Sequence, residues 1–464
     1  MTAIIKILKD VFWVIPELRR RIFWTLGLLF VFRLGFHIYL PGIDIVTLID
    51  SLKDKQETGF LDWIAFSSAL TGGKFDTPVL FALGIMPYIS ASIIFSLMVK
   101  VFPRLEALSK EGEQGRRTIN RYTRYATVLL CVIQAVMLVF RWQTPDPTTM
   151  RSIADAGSFW VTLLQVLTLT AGSLFVMWLG EKITEVGIGN GTSLLIMAGI
   201  VANLPMALVH QVQGIVLSDP DRRPFEVVRA LTLVLLYLAM VAGVVFITKG
   251  QRRISVQQQR SVKGRRVYGG QRSFMPLRVN PAGVLPIIFA QTLIVIPTGL
   301  IAFIASRGSA DNPFTKALNV IGDQFQVGAF FYVIAYIGLI VFFTYFWTNL
   351  MFNPVEIANQ MKEYGSFIPG IRPGKRTAEY LDKVMKRITL AGAAFLSLIA
   401  LVPQLIQQAL DVEFLVASFL GGTGILIVVG VALDLVDKIE AQLLVRHYEG
   451  FMRGEVPRKG GGPE

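Results

Sequence analysis

The chain is 464 residues long, 53% hydrophobic and only 17% charged, with a formal net charge of +13. A soluble protein of this length needs more polar surface to cover its core, so the composition excludes a set of soluble domains and indicates a polytopic membrane protein. Three histidines and one cysteine, Cys131 inside an apolar run, exclude a disulfide and a clustered His/Cys metal site, and no cofactor is expected.

The first 21 residues, MTAIIKILKDVFWVIPELRRR, have no long apolar core before Pro16 and no small-residue cleavage site. They read as a retained amphipathic segment rather than a signal peptide. Ten apolar stretches follow, each near the roughly 20 residues needed to cross a bilayer. They lie close to 22–40, 77–99, 125–140, 158–179, 188–209, 227–248, 281–304, 328–350, 388–406 and 415–436. Between the first two, "GFLDWIAFSSALTGG" (Gly59–Gly73) is too short in its apolar part to span. It fits a re-entrant or interfacial helix, or an external loop helix packed on the protein.

An even number of spans places both termini on one side, and lysine and arginine decide which. With the N-terminus inside, the inner segments hold 34 of these residues and the outer ones 10, counting Arg229 at the head of the sixth span as outer; Arg33 lies within the first span. Both termini are therefore expected in the cytoplasm.

The second span contains "FALGIMPYISASII" (Phe81–Ile94), with Ile85, Ile89 and Ile93 four residues apart and so on one helical face. Such a stripe by itself suits lipid or core packing. Gly84 and Pro87 weaken the helix there, and their freed carbonyls need protein or cavity water rather than lipid. Ser90, Ala91 and Ser92 are small enough for a close helix seam, or for a static kink at a packed interface.

Two inner loops are long and basic. Thr248–Arg278 contains no acidic residue, and Phe352–Arg387 holds Arg372 in a turn rich in proline and glycine. Topology alone accounts for many of these charges. The length and the stiff turn fit a docking surface for an anionic partner, either RNA or an acidic protein. The nearest approach to a phosphate-binding loop, "PGIRPGKRT" (Pro369–Thr377), has Pro369 where glycine is required and Arg376 where Ser or Thr must follow the lysine. Intramembrane carboxylates are nearly missing, Asp434 close to a cytoplasmic end excepted, which disfavours a proton-coupled pump and, more strongly, an enzyme.

Several stretches in order along the chain carry a family resemblance: "FALGIMPYISASII", "KEGEQGRRTINRYTRYATV" (Lys110–Val128), "FVMWLGEKITEVGIGNGTS" (Phe175–Ser193), "VNPAGVLPIIFA" (Val279–Ala290), "FNPVEIA" (Phe352–Ala358) and "FIPGIRPGKRTAEYLDKVMKR" (Phe367–Arg387). With these the chain resembles the SecY family, the channel subunit of the bacterial Sec translocon. The resemblance implies an all-α polytopic membrane protein with ten transmembrane helices in two pseudo-symmetric five-helix halves and a short plug helix. The halves would be 22–209 and 227–436, joined by an external hinge loop at 210–226. The N-terminus (1–21), the loops 249–278 and 351–387, and the tail (437–464) would be cytoplasmic.

By the same resemblance, Ile85, Ile89, Ile196, Ile288 and Ile427 would form a pore ring, with Thr192 at a sixth position that is usually aliphatic; its hydroxyl is expected to turn back onto a helical carbonyl. A ring of branched aliphatic side chains offers a passing polypeptide no hydrogen bonds, and when empty it dewets and resists ions. The lateral gate would involve Pro87, Ser90, Ser92, Ile93, Ser96, Asn190, Asn280 and Thr292. Ser96 stands where relatives often carry glutamine, and Asn190 and Asn280 are candidates for polar contacts across the cytoplasmic mouth. The plug would present Phe60, Leu61, Trp63, Ile64, Phe66 and Leu70. Motor or ribosome docking would fall to Arg252, Arg253, Arg265, Arg266, Arg372 and Lys375.

The implied partners are the SecE and SecG subunits, the SecA motor, the ribosome through its RNA, secretory nascent chains and signal peptides, anionic lipids, and the accessory proteins SecDF and YidC. The expected function is passive conduction of unfolded secretory chains across the bacterial cytoplasmic membrane, with signal sequences and transmembrane segments released to lipid. A secondary transporter of a small solute is the alternative, and it predicts a polar or ionised site at the midplane. A membrane scaffold that docks ribosomes would account for the basic loops but not for the interrupted spans.

Overall fold

The computed structural model describes residues 16–43, 77–143, 159–202, 204–217, 223–258, 261–263, 266–268, 272–291, 293–294, 322, 324–325, 329–410 and 422–454. The expected plug residues, Phe60 to Leu70, lie outside them, as do Arg265 and Thr292. The helices are α1 (Pro16–Leu34), α2 (Met86–Val101), α3 (Pro103–Lys110), α4 (Glu113–Gln143), α5 (Phe159–Val186), α6 (Gly191–Val201), α7 (Leu204–Leu217), α8 (Arg223–Lys249), α9 (Phe330–Met351), α10 (Pro354–Glu363), α11 (Lys375–Leu410) and α12 (Gly422–Gly454). A further helical segment covers 285–291.

Five helices among the described residues are long and apolar enough to cross a membrane, or six when α2 and α3, bent by 99° at Phe102, are taken as one broken span. They correspond to the expected spans two, three, four, six, eight and nine. The other four sit on helices that are more charged, shorter or only partly described. α1 carries Arg19, Arg20, Arg21 and Arg33, α6 has 11 residues, the seventh span is described only to residue 294, and α12 begins at Gly422.

Inside these helices several hydroxyl side chains bond to their own backbone. Thr127, Thr170, Thr344 and Ser397, all buried, donate to the carbonyls of Thr123, Val166, Ile340 and Ala393, four residues earlier. An apolar environment leaves a hydroxyl few other partners, so this local bond removes the cost of burial.

Two large hydrophobic clusters hold most of the described helices. The first draws its buried members from Phe32 to Leu195, on α1, the 79–85 segment, α4, α5 and α6. The second runs from Val244 to Leu426, on α8, the 285–294 region, α9, α11 and the start of α12. α12 touches both: Ile425 and Leu426 are buried in the second, while Val431 and Leu435 pack against the first. Below them, Lys249 at the end of α8 pairs with Asp437 of α12.

The basic loops add a sheet that hydropathy did not reveal. β1 (Gln251–Gln258) pairs antiparallel with β4 (Arg272–Arg278), and β5 (Ser366–Phe367), from the other loop, pairs with the far end of β1 at Gln257 and Gln258. A small hairpin of β2 (Ser261–Lys263) and β3 (Arg266–Tyr268) lies between β1 and β4 in sequence. Ile254 and Leu277 point from the sheet into a cluster with Ile368, Leu381, Val384 and Ile388. Two loops separated by two spans thus share one apolar core and form one extramembrane unit.

Candidate functional site

The segment Phe81–Ile94 is not a continuous helix. α2 begins at Met86, with Pro87 in its first turn, and residues 80–85 form consecutive turns. Proline is well placed there: it lacks a backbone donor, and a first-turn donor has no intrahelical partner to lose. The expected bend is therefore a helix start rather than a kink. Gly84 takes a left-handed φ of +53°, and its carbonyl accepts the Ser173 hydroxyl of α5 at 3.0 Å. A Cβ at the neighbouring Gly172 would collide with the Leu80 carbonyl, so the turn is pressed onto α5 backbone to backbone. The freed carbonyl finds protein, as an apolar surrounding requires.

This start divides the isoleucine stripe. Ile85 precedes the helix, with φ −95° and ψ 2°, and is 1% exposed in the first cluster beside Gly180 and Leu195. It does not line the cavity described next. Positions four apart share a face only within a helix, so the stripe that holds is Ile89 and Ile93.

A cavity of about 630 Å³ opens between α2, α6, the 282–291 segment and α12. Ile89, Thr192, Ile196, Ile288 and Ile427, five of the six expected ring members, line it together with Ser92, Ile93 and Asn190 from the expected gate. Four elements distant in sequence thus bring branched aliphatic side chains to one space.

The polar members behave differently from expectation. Asn190 caps α6: its side-chain oxygen accepts from the Thr192 backbone amide at 3.1 Å and from the Thr192 hydroxyl at 2.7 Å. The Thr192 hydroxyl therefore does not return to a helical carbonyl. Thr192 sits at the second position of α6, and the carbonyl four residues back, at Ile188, lies outside the helix. Asn280 does not reach across the mouth to Asn190; its amide donates to the Gly283 carbonyl at 3.0 Å within its own turn. Ser96 is exposed and donates to the Ser92 carbonyl at 2.7 Å. Pro87 is buried, and neither it nor the half-buried Ser90 lines the cavity. α2 packs on α4, leaving its other side to the cavity.

Sequence reasoning passed over Tyr88, Ser193 and Gln291 on the cavity wall, and it named Asp434 there without its partner Lys438. Gln291, an amide between apolar runs, was a signal available in the sequence. Asp434 and Lys438 pair at 2.7 Å with both side chains about half exposed, at the edge rather than buried at a midplane. Among the described residues no group of three or more His, Cys, Asp or Glu is placed to hold a metal.

On this joined unit, Arg252 and Arg253 are exposed on β1, Arg266 lies in β3, and Arg372 and Lys375 are exposed beside the turn that starts α11. Gly370 and Gly374 flank Arg372 with φ of +83° and +101°, and the Thr377 hydroxyl donates to the Arg372 carbonyl at 3.0 Å. The turn is thus fixed through its backbone, which leaves the guanidinium to solvent.

The SecY family model matches residues 79–436. The chain is 41% identical over 442 residues to the protein translocase subunit SecY of Aquifex aeolicus (strain VF5), covering 95% of this chain and 97% of that one. To the protein of the same name from Escherichia coli (strain K12) it is 40% identical over 437 residues, 94% of each. Among solved structures, one described as "The structure of a protein conducting channel" matches with a TM-score of 0.58 at 17% identity over 95% of both chains. Sec61 in the canine ribosome-channel complex from the endoplasmic reticulum matches at 0.54 with 16% identity, again over 95% of both. The structural likeness shows the fold, and identity at this level over nearly the whole length shows that the chain belongs to the SecY family.

Proposed function

We propose that the chain is a protein-conducting channel, the translocase subunit that passes unfolded polypeptides through a membrane. The observation that carries this reading is the cavity at which Ile89, Thr192, Ile196, Ile288 and Ile427 meet. Four isoleucines, Ile89, Ile196, Ile288 and Ile427, make the aliphatic belt of its wall, which draws on both hydrophobic clusters, so it can close around a chain of any sequence and part along the seam between α2 and the 285–291 segment. The buried members of the first cluster lie within 22–209 and those of the second within 227–436, which supports two halves and a lateral gate between them that releases signal sequences to lipid. The chain supplies a path and no chemistry; the drive comes from partners, SecA or the translating ribosome, docked on the joined basic loops. SecE and SecG complete the complex, in a cytoplasmic membrane with both termini inside.

Photo-crosslinking amino acids in place of Ile89 and Ile288 should each capture a stalled secretory chain. Capture only at outward-facing control positions such as Leu235, 69% exposed on α8, would remove the cavity from the translocation path.

Replacing Ile89 with Asn should raise ion leak through the resting channel, because a polar wall wets a constriction that an aliphatic one keeps dry. Planar-bilayer conductance checks this; an unchanged value would assign the whole seal to the plug.

A further inference from the structure

Within the second cluster two tyrosines and two glutamines lie along one line. Tyr336 is 1% and Tyr332 8% exposed, and their rings stand 5.8 Å apart on α9. The Tyr336 hydroxyl lies against the side chain of Gln291 on the cavity wall, and the Tyr332 hydroxyl against Gln404 of α11. Gln404 follows Pro403, which interrupts the hydrogen bonding of α11 at the buried Ile399. The Tyr336 hydroxyl and the carbonyl oxygens of the Gln291 and Gln404 side chains are buried, and among the described residues no protein group satisfies them. Buried polar atoms left so are costly, and a site offering two to four polar partners is where a protein holds water. The cavity beside Gln291 gives water a route in.

Gln291 also bears on the pore. Ile288 and Gln291 are three residues apart on one helical face and both line the cavity, while Ile287 and Ala290, each fully buried, face the second cluster. Phe289 stacks on Phe343 at 5.3 Å and tilts against Trp347 at 5.6 Å, which holds the packed side of the segment, and Gln291 is the polar contact on its cavity side. A tether on Gln291 therefore sets the angle at which Ile288 meets the cavity.

We propose that Gln291, Tyr336, Tyr332 and Gln404, bridged by bound water, form one polar string that fixes the rotation of the 285–291 segment and holds Ile288 against the cavity. Tyr336 and Gln291 are positioning residues in this scheme, which rests on the channel reading above. Tyr336→Phe removes one oxygen and keeps the buried ring; Gln291→Leu removes the other end of the contact.

The test measures capture of a stalled secretory chain by a photo-crosslinker at Ile288 and, separately, at Ile89, in the wild-type background, in each single variant and in the double variant. Capture at Ile288 should fall about threefold in each single variant and no further in the double, as expected of residues acting through one linkage. Capture at Ile89 should not change. Equal loss at both positions would mean a general loss of structure, and unchanged capture at Ile288 would mean the string does not orient the segment; either result overturns the proposal. If Tyr336→Phe does not accumulate in membranes, Gln291→Leu alone gives the same two outcomes. Failure of the wild-type background to capture at either position would overturn the channel reading instead.

Discussion

A chain carrying Arg372→Glu is expected to insert in the membrane in normal amount and to export secretory substrates at a small fraction of the wild-type rate. The side chain is exposed, and its turn is held by other groups. The Ile371 amide donates to the Ile368 carbonyl at 3.0 Å, Thr377 holds the Arg372 carbonyl, and Ile368 is anchored in the cluster that joins the two loops. Reversing the charge therefore leaves the fold alone and changes only what the surface presents. A partner that meets Arg372 with an acidic group or a phosphate then meets like charge. A penalty of roughly 2 kcal/mol would weaken docking by about thirtyfold. Arg372→Lys should fall between the two, since lysine keeps the charge and loses the planar, two-pronged geometry. Export measured in inverted vesicles, with membrane content of the variant as control, decides the matter; normal export by Arg372→Glu would remove this residue from the docking surface.

How far the sequence reaches is clearest at α2. Apolar runs located six of the expected spans on helices long and apolar enough to cross a membrane, and family motifs named five residues that meet at one cavity, because these depend on local composition and on matching patterns. The placement of Ile85 was not legible. The four-residue spacing assumed a helix that begins earlier than it does, and the start at Met86 depends on Ser173 and Gly172 of α5, about 90 residues away. The three-stranded sheet escaped for a similar reason. Its charge-rich strands alternate with inward Ile254 and Leu277, but their apolar partners lie in the other loop, so neither loop shows a core when read alone. Thr192 was misjudged at closer range: the cap at Asn190 shifted the start of α6 and gave the hydroxyl a side-chain partner.

Gly191→Leu is expected to have the largest effect on stability, and it links packing to the pore. Gly191 is the first residue of α6, where a Cβ would collide with the Gly180 carbonyl and crowd the Ile183 side chain on α5. The same contact is knitted by hydrogen bonds: the Gly191 amide donates to the Thr184 hydroxyl at 2.8 Å, and that hydroxyl donates to the Gly180 carbonyl at 2.9 Å. A leucine there must push α6 away from α5, breaking the amide contact and opening space beside Leu195, which is fully buried. Overpacking of this kind, with a buried donor left unpaired, costs roughly 3 kcal/mol or more. α6 also carries Thr192, Ser193 and Ile196 to the cavity wall, so the displacement reaches the constriction. The purified variant should melt well below the parent, and a photo-crosslinker at Ile196 should lose its capture of a stalled chain. Gly191→Ala should shift both in the same direction by less. Gly27→Leu on α1, where a Cβ meets nothing within 4 Å, is the matched control. If Gly191→Leu melts with Gly27→Leu, the close approach of α5 and α6 does not hold this wall in place, and the position of Ile196 must be set from the α12 side.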